Sequence, residues 1–233
     1  ELRILRKEMQ MIFQDPSSSI NPRRKIGEVL SEPFAIHDVK ENVSELIIEL
    51  LNQVGLSSNH ANRYPHEMSG GQLQRVGIAR AIALNPSLVV ADEPVSALDV
   101  SVQAQVVNLM IELKEKLGIS YLFISHDMGV VEYFCDRVAV MYLGKIVEIA
   151  SSEEIYKRPC HPYTEALLNA VPGLESGKIK QKHKVLGDTP DPSTLSQGCS
   201  FHTRCPIKEK QCEEMEPTLK EVTSGHYVAC FLK

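Results

Sequence analysis

Two short apolar runs constrain this chain more than any other feature: SLVVADEP at residues 87–94 and ISYLFIS at 119–125. Neither alternates with polar residues, so each is expected as a strand buried on both faces, the habit of parallel sheets. Between them, Val102, Val106, Leu109, Leu113 and Leu117 fall near one face of a helix over 100–117, with Gly118 as its C-cap. Strand, helix and strand at this spacing make an α/β unit with a parallel sheet.

Other segments fit around that unit. EMQMIFQDP at 8–16 reads as a short buried strand ending in a turn. Residues 26–60 read as helical, with ELIIELLNQVGL the strongest amphipathic piece and Gly55 near its end. In HEMSGGQLQRVGIARAI, residues 66–82, Ser69 and Gln72 have capping-box spacing. The helix they open would bury Leu73, Val76, Ala79 and Ala83, and Pro86 would close it. RVAVMYLGKIVEIA at 137–150 reads as a hairpin turning at Gly144-Lys145. Past residue 151 prolines and glycines become frequent, and four of the six cysteines lie beyond residue 198. The domain expectation is therefore 1–150 and a separate C-terminal extension over 151–233.

The bulk numbers exclude several classes. A formal net charge of -5 gives no general basic surface, which argues against nucleic acid as a partner. No apolar run approaches the roughly 18 residues of a membrane span, so a membrane role would have to come through a partner. At 43% hydrophobic and 24% charged residues, the composition is that of an ordinary globular protein.

Chemistry concentrates at the strand ends. Asp92 and Glu93 put two carboxylates at the carboxyl edge of the sheet, where open α/β folds bind ligands. Asp92 suits Mg²⁺, a hard ion that keeps much of its water, and Glu93 could orient and polarise an attacking water. Gln14, after the first strand, could touch a metal or a water. His126 follows the last apolar strand, within reach of a terminal phosphate. Taken singly, each has an ordinary alternative: a capping carboxylate, a turn glutamine, a surface histidine. Ser69, Gly70 and Gly71 open a helix, and free N–H groups with the positive end of the helix dipole attract phosphate there.

The combination is more specific. Gln14 in MIFQDP, then MSGGQ, LVVADEP, SALD and finally His126 occur in one order along the whole chain. The chain resembles the ABC ATPases. The resemblance implies an α/β fold, a P-loop NTPase (RecA-like) core with a helical subdomain at about 17–84. It makes Gln14 the Q-loop glutamine, Ser69, Gly70, Gly71 and Gln72 the signature segment, Asp92 the Walker B aspartate, Glu93 the general base, Asp99 the D-loop aspartate and His126 the switch histidine. It also implies ATP and Mg²⁺, with Asp92 and Gln14 at the metal. Two such ATPases would sandwich two ATPs head to tail, so the signature of one would cap the γ-phosphate held by the other.

One part is missing from these residues: no G-x-x-x-x-G-K-[ST] loop occurs. GLESGKI at 173–179 is a decoy, with three residues between its glycines and Ile179 where a hydroxyl should bind Mg²⁺. Because the first residue is Glu1 and ELRILRKEMQ reads as the interior of a longer chain, the P-loop is expected upstream. These residues alone are expected to bind ATP poorly and to complete a partner's site.

The C-terminal texture narrows the resemblance. RPCHPYTEALLNAVP, VLGDTPDP and GCSFHTRCP resemble the oligopeptide and dipeptide importer ATPases. That implies a peptide-transport translocase at the cytoplasmic face of the inner membrane. Its expected partners are a second ABC ATPase, identical or similar, two transmembrane permease subunits and, indirectly, an extracytoplasmic peptide-binding protein. Importers of nickel or another solute are the near alternative, and a soluble ABC ATPase of repair or translation type the distant one. Cys199, Cys205, Cys212 and Cys230 are separated by five, six and seventeen residues. Four thiolates suit Zn²⁺ or an iron–sulfur cluster, and the first two gaps are wider than zinc sites usually show. Some peptide-importer ATPases with this spacing bind a [4Fe–4S] cluster, which the resemblance therefore implies, with unligated thiols as the alternative. Cys135 is expected on an apolar helix face as a core thiol, and Cys160 outside the set.

Overall fold

The computed structural model describes residues 2–171, 187, 190 and 198–233; segment 173–179 and most of 185–192 lie outside them. The chain divides into two compact units, residues 1–127 and 128–233. The division falls earlier than the change of composition near residue 151. The hairpin before that point is hydrogen-bonded to the last strand of the chain, so it packs with the C-terminal residues.

In the first unit, α1 (Leu2–Glu8) buries none of its residues and leads into β1 (Met9–Ile12). Asp15 then caps α2 (Pro16–Ser19), its carboxylate accepting the Ser17 N–H at 2.8 Å. The stretch expected as helical over 26–60 is two helices, α3 (Ile26–Ile36) and α4 (Val43–Gln53), followed by a 3₁₀ turn at Ser58–Asn62. The break falls where Asp38 takes a left-handed φ of 52°, a conformation Asp tolerates better than most residues. Next come α5 (Gly70–Ile82), β2 (Leu88–Asp92), α6 (Val100–Leu117) and β3 (Ser120–Ile124). Leu73, Val76, Ala79 and Ala83 of the α5 region are buried, as their spacing requires. Gly118 ends α6 in the left-handed conformation.

The three strands form a parallel sheet in the order β1-β2-β3, with Met11, Val90 and Leu122 in one row. This row marks a correction to the sequence expectation. Ile12, Val89 and Ala91 face a packed core, but Met9, Met11, Leu122 and Ile124 on the other face are exposed. The apolar runs are composed for burial on both sides, and the described helices cover one. Two arginines of α5 fasten the surrounding helices: Arg75 donates to the Val54 carbonyl at 2.7 Å and Arg80 to the Ser19 carbonyl at 2.8 Å.

The second unit holds α7 (Met128–Phe134), β4 (Arg137–Tyr142), β5 (Lys145–Ser151), α8 (Ser152–Lys157), α9 (Pro162–Asn169), α10 (Lys210–Glu214), β6 (Lys220–Thr223) and β7 (His226–Val228). Its strands form an antiparallel sheet in the order β4-β5-β7-β6. The β4–β5 turn is Leu143-Gly144, one residue earlier than expected. Both have positive φ, 44° and 79°, the pairing that matches strand twist in a two-residue hairpin. Val138, Val140, Val147, Ile155, Leu168 and Phe201 form the core. Phe201 and Tyr142 make a T-shaped pair with ring centroids 5.2 Å apart. Cys135 directly follows α7 rather than lying on it, and packs half-buried against this core. Among the described residues no helix is long and apolar enough to cross a membrane.

Candidate functional site

The carboxyl ends of the parallel strands bring three of the expected residues together. Glu93 follows β2, Gln14 follows β1 by two residues and His126 follows β3 by two. Gln14 Nε2 donates to Glu93 Oε2 at 2.8 Å, across 79 residues of sequence. His126 Nδ1 lies 3.0 Å from Glu93 Oε1. A carboxylate can only accept, so Nδ1 carries the proton there and Nε2 remains available. Glu93 itself has a φ of 42°, a left-handed conformation that costs a non-glycine residue about 1 kcal/mol or more. Its N–H donates to the Ile124 carbonyl, and Ser96 Oγ donates to its carbonyl, so the backbone around it is fixed. The hydrogen bond from His126, reinforced by its charge and by bonds involving Ser96 and Gln14, holds the Glu93 carboxyl below the usual carboxylate range. A carboxylate kept ionised, oriented by an amide on one oxygen and an imidazole on the other, can take a proton from a water. Asp92, the last residue of β2, stands beside it with an oxygen-donor side chain suited to Mg²⁺.

A second group forms around the start of α5. Ser69 Oγ accepts the Gln72 N–H at 3.3 Å, and Gln72 Oε1 accepts the Ser69 N–H at 3.0 Å, a reciprocal capping box. Asp99 caps α6 in turn, its carboxylate accepting from Val102 N at 3.0 Å and from Ser101 Oγ at 2.7 Å. The two helix starts touch. A side chain at Gly71 would meet Val102 Cγ1 at 2.4 Å, whereas one at Gly70 would meet Leu98 at an ordinary 3.7 Å. The glycines thus have different reasons. Gly71 is required by helix packing, and Gly70 is the one whose bareness the folded chain does not use.

The four C-terminal cysteines converge on one small cavity, with His161 and Phe201 among its other walls. Cys199 N–H donates to the Cys212 carbonyl at 2.8 Å, and a side chain at Gly198 would collide with the Cys212 and Glu213 carbonyls at 2.6 Å. At three of the sulfurs a backbone N–H two residues on is a hydrogen-bond donor: Phe201 for Cys199, Ile207 for Cys205 and Leu232 for Cys230. Burial outweighs those donors and pushes all three thiols up, with the neighbouring thiols adding to it.

Sequence reasoning missed the residues that brace this unit. Glu148 is wholly buried, and it accepts from Cys160 N at 2.7 Å, from His161 N at 2.9 Å and from His226 Nε2 at 2.7 Å. An apolar strand with one internal glutamate was the only available signal. His161 is buried too, and its Nδ1 accepts the Tyr163 N–H at 3.1 Å, capping α9.

Comparison with known proteins bears on the family of the chain. Residues 1–96 match the model of the ABC transporter family, and residues 147–212 match that of the oligopeptide/dipeptide transporter C-terminal region. The oligopeptide transport ATP-binding protein AppF of Bacillus subtilis is 52% identical over 98% of this chain and 70% of its own length. The dipeptide transport ATP-binding protein DppF of Haemophilus influenzae is 48% identical over 97% of this chain and 70% of its own. Among solved structures, cbiO1 from Clostridium perfringens, part of the ABC transporter complex cbiONQ, aligns with a TM-score of 0.58 at 25% identity, over 66% of this chain and 61% of that one. Two family models matched along one chain, and about half identity to named transport ATP-binding proteins, point to one family. The chain belongs to the ABC transporter ATP-binding proteins, of the oligopeptide/dipeptide type.

Proposed function

We propose that this chain is the ATP-hydrolysing subunit that energises import of oligopeptides or dipeptides through a membrane ABC transporter. The observation that carries the chemistry is the Gln14–Glu93–His126 hydrogen-bonded group at the carboxyl edge of the sheet. Glu93 acts as general base toward the attacking water, Gln14 and His126 orient Glu93, and Asp92 with Gln14 would hold Mg²⁺. The oxygen donors at this edge fit a hard cation, whose role is to neutralise charge on the phosphates. Ser69, Gly70, Gly71 and Gln72 receive the γ-phosphate of a partner ATPase, with Asp99 beside them. The bare, unobstructed position at Gly70 supports this reading. A parallel sheet is ordinarily covered on both faces. The exposed Met11–Val90–Leu122 face supports completion of the site by a P-loop segment packed upon it.

The wider assembly is inferred from the relatives' names: a second ATPase, two permease subunits and, indirectly, a peptide-binding protein outside the membrane. The chain is then peripheral, on the cytoplasmic face. Nickel or another solute is the competing cargo, and the match of residues 147–212 to the oligopeptide/dipeptide transporter C-terminal region favours peptide.

The four cysteines fit a [4Fe–4S] cluster better than a single ion. Sulfurs around one tetrahedral zinc sit about 3.8 Å apart, given Zn–S bonds of about 2.3 Å. Among the described residues no three of these sulfurs lie within 4.8 Å of one another, although all four line one cavity. Backbone N–H donors at three sulfurs suit cluster ligands as well. Cys199, Cys205, Cys212 and Cys230 would hold the cluster, which would cross-link the extension.

The deciding test of the ATPase assignment is Glu93→Gln in the assembled transporter. Turnover should fall at least about 100-fold, the usual contribution of a general base, while ATP still binds. Normal turnover would overturn the assignment.

A further inference from the structure

We infer that Glu148 is a positioning residue for the four-cysteine cavity: its buried carboxylate clasps two of the cavity's walls and sets how far the four thiols can open. The inference rests on the reading of the four cysteines as one shared site, and not on what fills it.

Glu148 sits in the middle of β5 with no exposed surface. A buried carboxylate is costly unless every lone pair is used. Here one oxygen takes His226 Nε2 and the Cys160 N–H, and the other takes the His161 N–H. The two backbone donors belong to the cap of α9, and His161 and Pro162 line the cavity. The imidazole donor belongs to β7, and the chain leaving β7 carries Cys230, Phe231 and Leu232, which also line it. One side chain therefore ties both the α9 wall and the Cys230 wall to β5. The β5–β7 pairing and the Ala229 N–H bond to Val147 O at 2.8 Å also tie that wall to β5, but they are backbone only and are the same for any residue at 148. Glu148, Cys160 and His226 also bring three ligand-type atoms within 4.8 Å. Both carboxylate oxygens are already engaged by N–H donors there, so the group is read as a clasp.

The test is peptide-resolved iodoacetamide alkylation of the full chain, with iron and sulfide content read alongside. In Glu148→Gln an amide N–H replaces one acceptor and must face a donor. Alkylation of Cys199, Cys205, Cys212 and Cys230 should rise roughly tenfold, as expected when a local opening becomes easier. Cys135, packed against the hydrophobic core of the same unit, is the internal control and should keep its wild-type rate. His226→Gln removes a single arm, so it should accelerate Cys230 more than Cys199, and it serves where Glu148→Gln does not fold. Glu148→Asp keeps the charge and should fall between wild type and Gln. Unchanged rates at the four cysteines would overturn the inference. So would equal acceleration of Cys135, which would mean general loosening only. Absence of iron from the wild type would count against the cluster alone and leave the alkylation result to decide the clasp.

Discussion

A histidine can mark a motif in a sequence without showing there what it does in the fold. His161 is buried beside Phe201, and it caps α9 through an unprotonated Nδ1. Burial, with a smaller contribution from Lys233, pushes its pKa down from 6.5 to about 4. As pH falls through 6.5, the unfolded chain therefore takes up a proton that the folded chain refuses until about 4. This contribution to stability is full above pH 6.5, declines across the window and is gone below about 4, a loss of about 3 kcal/mol. Urea unfolding at pH 7.5 and at pH 4.5 should show the second unit losing stability. His161→Asn, which keeps a capping acceptor and cannot titrate, should flatten that slope. An unchanged slope would remove His161 from the account. Glu93 illustrates the same scale differently. Its place after an apolar strand marks it in the sequence, but its left-handed backbone and its grip on residues 79 positions before and 33 after come only from the fold.

Elements report on how helix starts are used. The Ser69–Gln72 capping box and the Gly118 cap could both be read from the sequence, because caps are local chemistry over three or four residues. The reason for Gly71 could not. Its neighbour Val102 is 31 positions away and belongs to another helix. Gly71→Ala should destabilise the first unit by about 1–3 kcal/mol through overpacking against a stiff β-branched side chain. Val102→Ala in the same chain should recover most of it, a coupling that a double-mutant cycle in urea would measure. Gly70→Ala should leave stability within about 0.5 kcal/mol. Additive costs at 71 and 102 would show that the two helix starts do not press on each other. The long helical stretch over 26–60 shows the opposite failing: periodicity found the helices but not the break at Asp38, which depends on one backbone angle.

At the scale of the whole molecule, each unit has its own sheet, and the second depends on its last strand. Removing residues 226–233 would delete β7 and His226, leaving the Glu148 carboxylate buried with two backbone donors. Breaking a buried pair from one side costs about 3–5 kcal/mol. Hydrogen exchange should then accelerate along β4 and β5 while α5 and β2 keep their protection. Unchanged exchange in β4–β5 would show that the terminal strand is dispensable. Read by itself, the sequence determined the α/β class, the positions of the principal strands and helices, both helix caps and the residues at the sheet edge. These come from periodicity, short-range hydrogen bonding and the order of a few chemical groups along the chain. Only the tertiary structure decided that Gln14 and His126 meet on Glu93, that the described helices cover one sheet face, that Gly71 answers to Val102, and that Glu148 joins α9 to β7. Those outcomes depend on contacts between residues far apart in sequence, which packing selects and no local pattern encodes.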